Sequence, residues 1–341
     1  METIRRPISK VFVASKLADL GQIVKEAIKN IGNVCVRELQ VTPDGRLAQE
    51  CVDEIPEIEF LFADPSVIGQ VLSSNKNRVA WMQSTFAGLD AAFKVIDNLE
   101  KPPNAILTRQ TDGFGQFMGE YVIGQIIARE RNFTLMTELQ KQSNFDCSQL
   151  VSYRGLNELC LGVIGFGIIG QEVARQCKAM NMTVWAAVRD ARFNNGQAVS
   201  EHVHHIRPMS KLSEMLQACD YVVSVLPSTP ESRGLLSGNV LQACEKKKSV
   251  LINIGRGDVI DDDSLVNAVR SGWLSGAILD VFNQEPLPAD SPLWSVPGIT
   301  ITPHVSGITN VNKAVKTFTD NIVRYRNGEP MLNQVEMSKG Y

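Results

Sequence analysis

An arginine, a carboxylate and a histidine each follow a strand-like run in the second half of the chain. The first segment is Asn253-Ile254-Gly255-Arg256-Gly257, where glycines flank an arginine just after the apolar stretch Val250–Ile254. The second is Leu279-Asp280-Val281-Phe282, leading into Gln284-Glu285-Pro286, and the third is Thr302-Pro303-His304-Val305-Ser306-Gly307. In an open parallel sheet the carboxyl ends of the strands form the edge where ligands bind, so all three segments are expected to face one crevice. The planar fork of arginine matches a carboxylate in bidentate geometry. Histidine, with a pKa near the working pH, can give a proton to a carbonyl oxygen. A neighbouring carboxylate favours the imidazolium form. Arg256, His304 and Glu285 therefore supply what reduction of a 2-keto acid needs besides hydride. Arg256 holds the carboxylate, His304 binds and protonates the carbonyl, and Glu285 keeps that acid charged. The other histidines, His202, His204 and His205, cluster in one polar segment with no acid or cysteine at ligand spacing, and no metal site is expected there.

The hydride carrier has its own signature. Gly165-Phe166-Gly167-Ile168-Ile169-Gly170 follows the apolar run Leu161-Gly162-Val163-Ile164 and opens an amphipathic stretch, Glu172–Met180. In a dinucleotide turn Gly165 makes the tight bend, Gly167 lets the backbone approach a pyrophosphate, and Gly170 lets the helix press on the strand. The phosphates then lie against free N–H groups at the positive helix end. Glycine turns of this spacing are common, but here a second strand, Thr183–Val188, follows at the expected distance. The cofactor is accordingly assigned to Gly165, Gly167, Ile168, Ile169 and Gly170, with Leu226, Pro227 and Ile254 at the ends of later strands.

The end of the second strand reads Ala187-Val188-Arg189-Asp190-Ala191-Arg192. A carboxylate there accepts hydrogen bonds from the adenosine ribose of NAD, whereas arginines pair with the 2′-phosphate of NADP. Asp190 lies twenty residues past Gly170, which suits NAD. Arg189 comes first off the strand and Arg192 follows, forming a basic clasp. The reading favours NADP(H), with NAD(H) left open by Asp190.

These groups need a scaffold. The 341 residues fit two domains, and 44% hydrophobic with 21% charged residues is the profile of a globular protein that folds on its core alone. A formal net charge of −3 gives no sign of a nucleic-acid or membrane surface, and no apolar run approaches the roughly 18–20 residues that cross a bilayer. The seven cysteines are scattered singly, which predicts reduced thiols in a cytoplasmic setting. Lys10–Ala14 is too short for a signal-peptide core and reads as a first strand.

Strand-like runs at Val11–Ala14, Val34–Val36, Phe60–Phe62 and Val79–Met82 alternate with amphipathic stretches. Two prolines at Pro102-Pro103 then break the chain, and a domain crossing is expected near them. One long helix is predicted from Phe117 to Leu139, with few charges before Arg129, and so buried along much of its length. Beyond it the βαβ rhythm resumes, with strands also at Tyr221–Leu226, Val250–Ile254, Ala277–Leu279 and Ile299–Ile301. Lys211–Cys219 and Ser264–Ser271 are helical spacers. A last helix, Asn310 to Asn327, carries Val311, Val315, Phe318, Ile322 and Tyr325 as a stripe whose simplest partner is the N-terminal half. The expected fold is thus α/β, with two Rossmann-like doubly wound parallel-sheet domains. A cofactor domain, 105–304, is inserted in a discontinuous substrate domain of flavodoxin-like type, 1–104 plus 305–341.

The chain resembles the D-isomer-specific 2-hydroxyacid dehydrogenases, most nearly their glyoxylate/hydroxypyruvate reductase group. The likeness runs from about Val79 to Gly328. Its motifs are Trp81-Met82-Gln83-Ser84-Thr85-Phe86-Ala87-Gly88-Leu89-Asp90, Met118-Gly119-Glu120-Tyr121, the Gly165–Gly170 turn and Leu226-Pro227-Ser228-Thr229-Pro230-Glu231-Ser232. Asn253–Gly257, Gly276–Phe282 through Leu287, and Pro303–Gly307 complete it. The resemblance implies a D-2-hydroxy acid product and a catalytic set falling on Arg256, Glu285 and His304. It implies that backbone N–H groups near Ala87 and Gly88 grip the substrate carboxylate, and adds Met118, Asp280 and Gly307 to the cofactor site, Asp280 near the nicotinamide. It also implies a homodimer formed through the cofactor domains. One departure is Phe145, where many relatives carry a tryptophan that can reach a neighbouring active site.

Two rival enzyme classes fit less well. An L-lactate-type enzyme would carry its dinucleotide turn near the N-terminus, and a formate dehydrogenase would have Gln in place of Glu285. A dinucleotide-sensing corepressor on the same scaffold could keep all three catalytic residues. No basic run or long disordered flank accompanies them here.

Overall fold

Continuous apolar runs become strands buried on both faces, as parallel sheets require. The computed structural model describes residues 7–29, 31–196 and 200–337. It divides into two compact units, Met1–Phe114 with Thr309–Tyr341, and Gly115–Ile308.

The first unit holds a five-stranded, all-parallel sheet of β1 (Lys10–Ala14), β2 (Cys35–Glu38), β3 (Phe60–Ala63), β4 (Trp81–Ser84) and β5 (Ile106–Thr108) in the order β2-β1-β3-β4-β5. This is the flavodoxin-like strand order. The terminal helix, Val311–Asn327, lays its stripe on this sheet: Phe318 stacks on Phe62 at 4.5 Å and on Trp81 at 5.2 Å, and Tyr325 meets Phe60 edge-on at 5.4 Å. Strand β5 still belongs to this sheet. The boundary therefore falls at Phe114/Gly115 rather than at the Pro102-Pro103 break.

The second unit carries seven parallel strands: β6 (Cys160–Ile164), β7 (Thr183–Val188), β8 (His205–Pro208), β9 (Tyr221–Ser224), β10 (Ser249–Asn253), β11 (Leu274–Leu279) and β12 (Ile299–Ile301). Their order is β12-β11-β10-β9-β6-β7-β8, so the winding reverses between β6 and β9. That reversal opens a crevice at the carboxyl ends of the strands.

Three expectations are corrected. The helix foreseen over Phe117–Leu139 is two helices, Phe114–Glu130 and Phe133–Lys141, separated at Asn132, whose φ of 51° lies in the left-handed region that asparagine tolerates. Only the first is buried, through Phe114, Met118, Val122 and Ile126 at four-residue spacing; the second buries no residue. Strand β9 stops at Ser224 instead of Leu226, because Pro227 cannot donate to a ladder and restricts the residue before it. Two short edge strands, β5 and β8, were not legible as strands. In β8, His205 and Arg207 both lie against Trp185 of β7, so polar residues pave an edge that the apolar pattern does not mark. Among the described residues no helix is long and apolar enough to cross a membrane, and no group of three His, Cys, Asp or Glu is placed to hold a metal ion.

Candidate active site

The arginine segment leaves β10 through a turn braced by Asn253. This buried side chain donates to the Arg256 carbonyl at 2.9 Å and accepts from the Gly255 N–H at 3.3 Å. Gly257 is needed because another loop crosses directly over it: a Cβ there would stand 1.9 Å from the Phe282 carbonyl carbon. The same close crossing brings the Phe282–Glu285 segment beside Arg256. Arg256 is half-buried, and its Nη1 donates to the Gly255 carbonyl at 2.6 Å.

Glu285 is anchored by the Phe282 N–H, which donates to Oε1 at 2.9 Å, leaving Oε2 at 2.7 Å from Nδ1 of His304. With Nδ1 thus occupied, Nε2 is the nitrogen able to face a substrate. The hydrogen bond that His304 donates to Glu285 raises the His304 pKa above the ordinary imidazole value, outweighing burial and the nearby Arg256 charge, which both oppose it. Burial pushes the Glu285 carboxyl up, but bonds from His304 and the Phe282 N–H more than offset this and hold it below the usual range. The pair is an ionic one, partly open to solvent.

His304 sits at φ 55°, a conformation that costs a non-glycine residue about 1–3 kcal/mol. Asp280 enforces it. This fully buried carboxylate accepts from the Val305 N–H at 2.9 Å, the Ser306 N–H at 2.8 Å and the Thr302 hydroxyl. Tyr121, on helix Phe114–Glu130, extends the chain through a 2.7 Å contact between its hydroxyl and that of Thr302. The resemblance places Asp280 near the nicotinamide; within the chain both its oxygens are engaged by the loop that carries His304. Asn253 and Tyr121 stood in quoted motifs but were given no role of their own. The available signal was a polar residue closing an apolar run, as Asn253 follows Val250, Leu251 and Ile252 in β10.

The glycine turn lies at the end of β6. Gly165 has φ 97°, and a Cβ on Gly170 would stand 2.1 Å from the Gly165 carbonyl oxygen, so the helix Ile168–Ala179 can start here only on glycine. At Gly167 a Cβ would meet nothing within 4 Å, which leaves open space over the turn. Gly167 caps the helix without a side chain, and among the described residues the Ile168 and Ile169 N–H groups have no acceptor. Space, free N–H groups and a helix N-terminus together fit a pyrophosphate.

At the end of β7, Asp190 accepts from the Ser210 N–H at 3.0 Å, while Arg192 donates to the Phe166 carbonyl of the glycine turn and Arg189 is exposed. Leu226 and Pro227 follow β9, with the Leu226 backbone pressed close to Gly255. Ile254 is buried after β10, Met118 is buried one turn before Tyr121, and Gly307 follows the buried Ser306. All of these residues belong to the second unit, whereas Ala87 and Gly88 belong to the first.

A doubly wound sheet with a pyrophosphate turn at its switch point and a carboxylate–histidine–arginine group on the same edge defines a nicotinamide-dependent oxidoreductase. Residues 123–306 match the family described as D-isomer specific 2-hydroxyacid dehydrogenase, NAD binding domain. The chain is 32% identical to glyoxylate/hydroxypyruvate reductase A of Klebsiella pneumoniae strain 342 over 75% of its own length and 80% of that protein. It superposes with a TM-score of 0.79 on a D-isomer specific 2-hydroxyacid dehydrogenase family protein from Aeromonas salmonicida, at 29% identity over 97% of this chain and 99% of the other. The TM-score is again 0.79 for the NADPH-dependent glyoxylate/hydroxypyruvate reductase of Sinorhizobium meliloti in complex with NADP and sulfate, at 25% identity over 98% of this chain and all of that one. The chain belongs to the D-isomer specific 2-hydroxyacid dehydrogenase family.

Proposed function

We propose that this enzyme reduces a small 2-keto acid of the glyoxylate or hydroxypyruvate kind to the D-2-hydroxy acid, with NADPH as its preferred reductant. The observation that carries the reading is the His304–Glu285 pair at 2.7 Å within the field of Arg256. NADPH, when bound, supplies the hydride. His304 gives a proton from Nε2 to the developing alkoxide, Glu285 keeps the ring oriented and charged, and Arg256 holds the substrate. The N–H groups of Ala87 and Gly88 grip the carboxylate, so the unit that contains them acts as the substrate domain and the other as the cofactor domain. Asp280 serves as a positioning residue for His304.

The preference for NADPH follows from how the end of β7 is used. Asp190, the group that would select NAD, is committed to Ser210, and the two arginines carry the charge that a 2′-phosphate pairs with. Assayed against glyoxylate and hydroxypyruvate with each nucleotide, the wild type should turn over faster with NADPH. Arg189→Ala should weaken NADPH by about tenfold and NADH by less than about twofold. Equal effects on both nucleotides would return the preference to Asp190, and absence of turnover with either would leave a dinucleotide sensor instead.

The raised His304 pKa sets a pH dependence. Reduction needs the imidazolium, so its rate holds at low pH and falls as pH rises through the His304 pKa. In Glu285→Gln the supporting charge is gone, the pKa drops, and that falling limb moves to lower pH. A limb left in place would assign the titration to another group.

A homodimer is part of the same proposal. The helix Phe133–Lys141 buries nothing within the chain, and Phe133, Phe145, Val151 and Tyr153 of the same stretch are exposed, an apolar arm that a second copy would cover. The seven free thiols support a reducing, cytoplasmic setting.

A further inference from the structure

The loop after β4 is held by its carbonyl groups. The Thr309 hydroxyl donates to the Thr85 carbonyl at 3.0 Å, and the Ser84 hydroxyl to the Phe86 carbonyl at 2.9 Å. The third carbonyl, that of Ala87, accepts from Nη1 of Arg109 at 3.3 Å. Among the described residues the N–H groups of Ala87 and Gly88 have no acceptor, and both residues are partly exposed. Three successive carbonyls thus accept side-chain hydrogen bonds while two successive N–H groups stay available.

We infer that Arg109 is a positioning residue for substrate anion binding in this enzyme, an inference that rests on the Ala87–Gly88 loop being the carboxylate grip. The Ala87 carbonyl and the Gly88 N–H belong to one planar trans peptide unit and point in opposite directions. A guanidinium fixed on the carbonyl therefore fixes the direction of the N–H. Hydrogen bonds in series polarise one another, so a cation on the oxygen makes the Gly88 N–H a stronger donor. The same charge adds a positive field at the place where a carboxylate would sit.

Arg109 is itself held in place. Its N–H donates to the Asn333 carbonyl at 3.1 Å, and the Val335 N–H donates to the Leu107 carbonyl at 2.8 Å. Thr108 forms an antiparallel bridge with Gln334, so the segment after the terminal helix braces β5 on both sides of the arginine's strand exit. The half-buried guanidinium works from fixed backbone rather than from a free surface side chain.

The test compares wild type with Arg109→Met, Arg109→Gln and Arg109→Lys, each checked for folding by thermal melting. We would measure kcat and KM for glyoxylate, and titrate oxalate into the NADPH-bound enzyme by fluorescence. Arg109→Met should raise KM and weaken oxalate roughly tenfold, with kcat and NADPH affinity nearly unchanged. Lysine, which keeps charge and one donor, should recover most of the loss, and glutamine less of it. If methionine does not fold, the lysine–glutamine difference carries the same reading. An unchanged KM and oxalate affinity, or kcat falling in step with melting temperature, overturns the role of Arg109. Ala87→Pro separates the underlying assumption, because it deletes a loop N–H. Oxalate lost there but kept in Arg109→Met leaves the grip standing without Arg109. Oxalate kept in both removes the grip itself.

Discussion

His304→Ala should lower the rate of 2-keto acid reduction by about 10³-fold, the range expected when a positioned general acid is removed. NADPH affinity, followed by fluorescence titration, should stay close to wild type. The two readouts separate because the glycine turn lies at the end of β6 and His304 follows β12, with β11, β10 and β9 between those two strands. The loss should be steep because the imidazole is held on Nδ1 by Glu285 at 2.7 Å and its loop by three bonds to Asp280, so water entering the space left behind has neither the orientation nor the acidity of the ring. Cofactor affinity falling as far as the rate would sink the assignment of His304 as acid.

Arg256→Gln should cost about 10²-fold in kcat/KM for the keto acid, most of it in KM, since a hydrogen bond to a charged group contributes about 1.5–3 kcal/mol. Arg256→Lys should recover only part, because an ammonium keeps the charge without the fork. A second signature distinguishes this residue from a structural one. The Arg256 charge lowers the His304 pKa, so removing it should move the alkaline limb of the reduction rate to higher pH. That is the opposite direction from Glu285→Gln. Both variants shifting the limb the same way would break the electrostatic account of the site.

Much of the scaffold was readable in advance because burial on both faces of a parallel sheet requires apolar runs. Phe60–Ala63 and Ser249–Asn253 are buried at every position, and both stand out as hydrophobic stretches. What was misread depended on local conformations that hydrophobicity does not encode. Asn132 turns left-handed and divides one amphipathic pattern into two helices. At β8 the stacking of His205 and Arg207 on Trp185 substitutes for the missing apolar residues.

The candidate catalytic residues were legible for a related reason. Arg256, Glu285 and His304 each stand just past a strand, and in a doubly wound sheet strand ends converge on one edge whatever the distance along the chain. Glycine identity at Gly165 and Gly170 was equally plain, because the left-handed turn at the first and the close approach at the second favour glycine over every other residue. The sequence alone thus pointed to the class of reaction and to the strand ends that carry the candidate residues. Only the tertiary structure decided how the polar groups pair. Asp280 turned out to hold the His304 loop, Asp190 to face Ser210, and Arg109 to reach the Ala87 carbonyl from the neighbouring strand end. Such pairings join loops from different strand ends, and their partners are set by strand order and register. Nothing in the spacing of residues along the chain records that geometry.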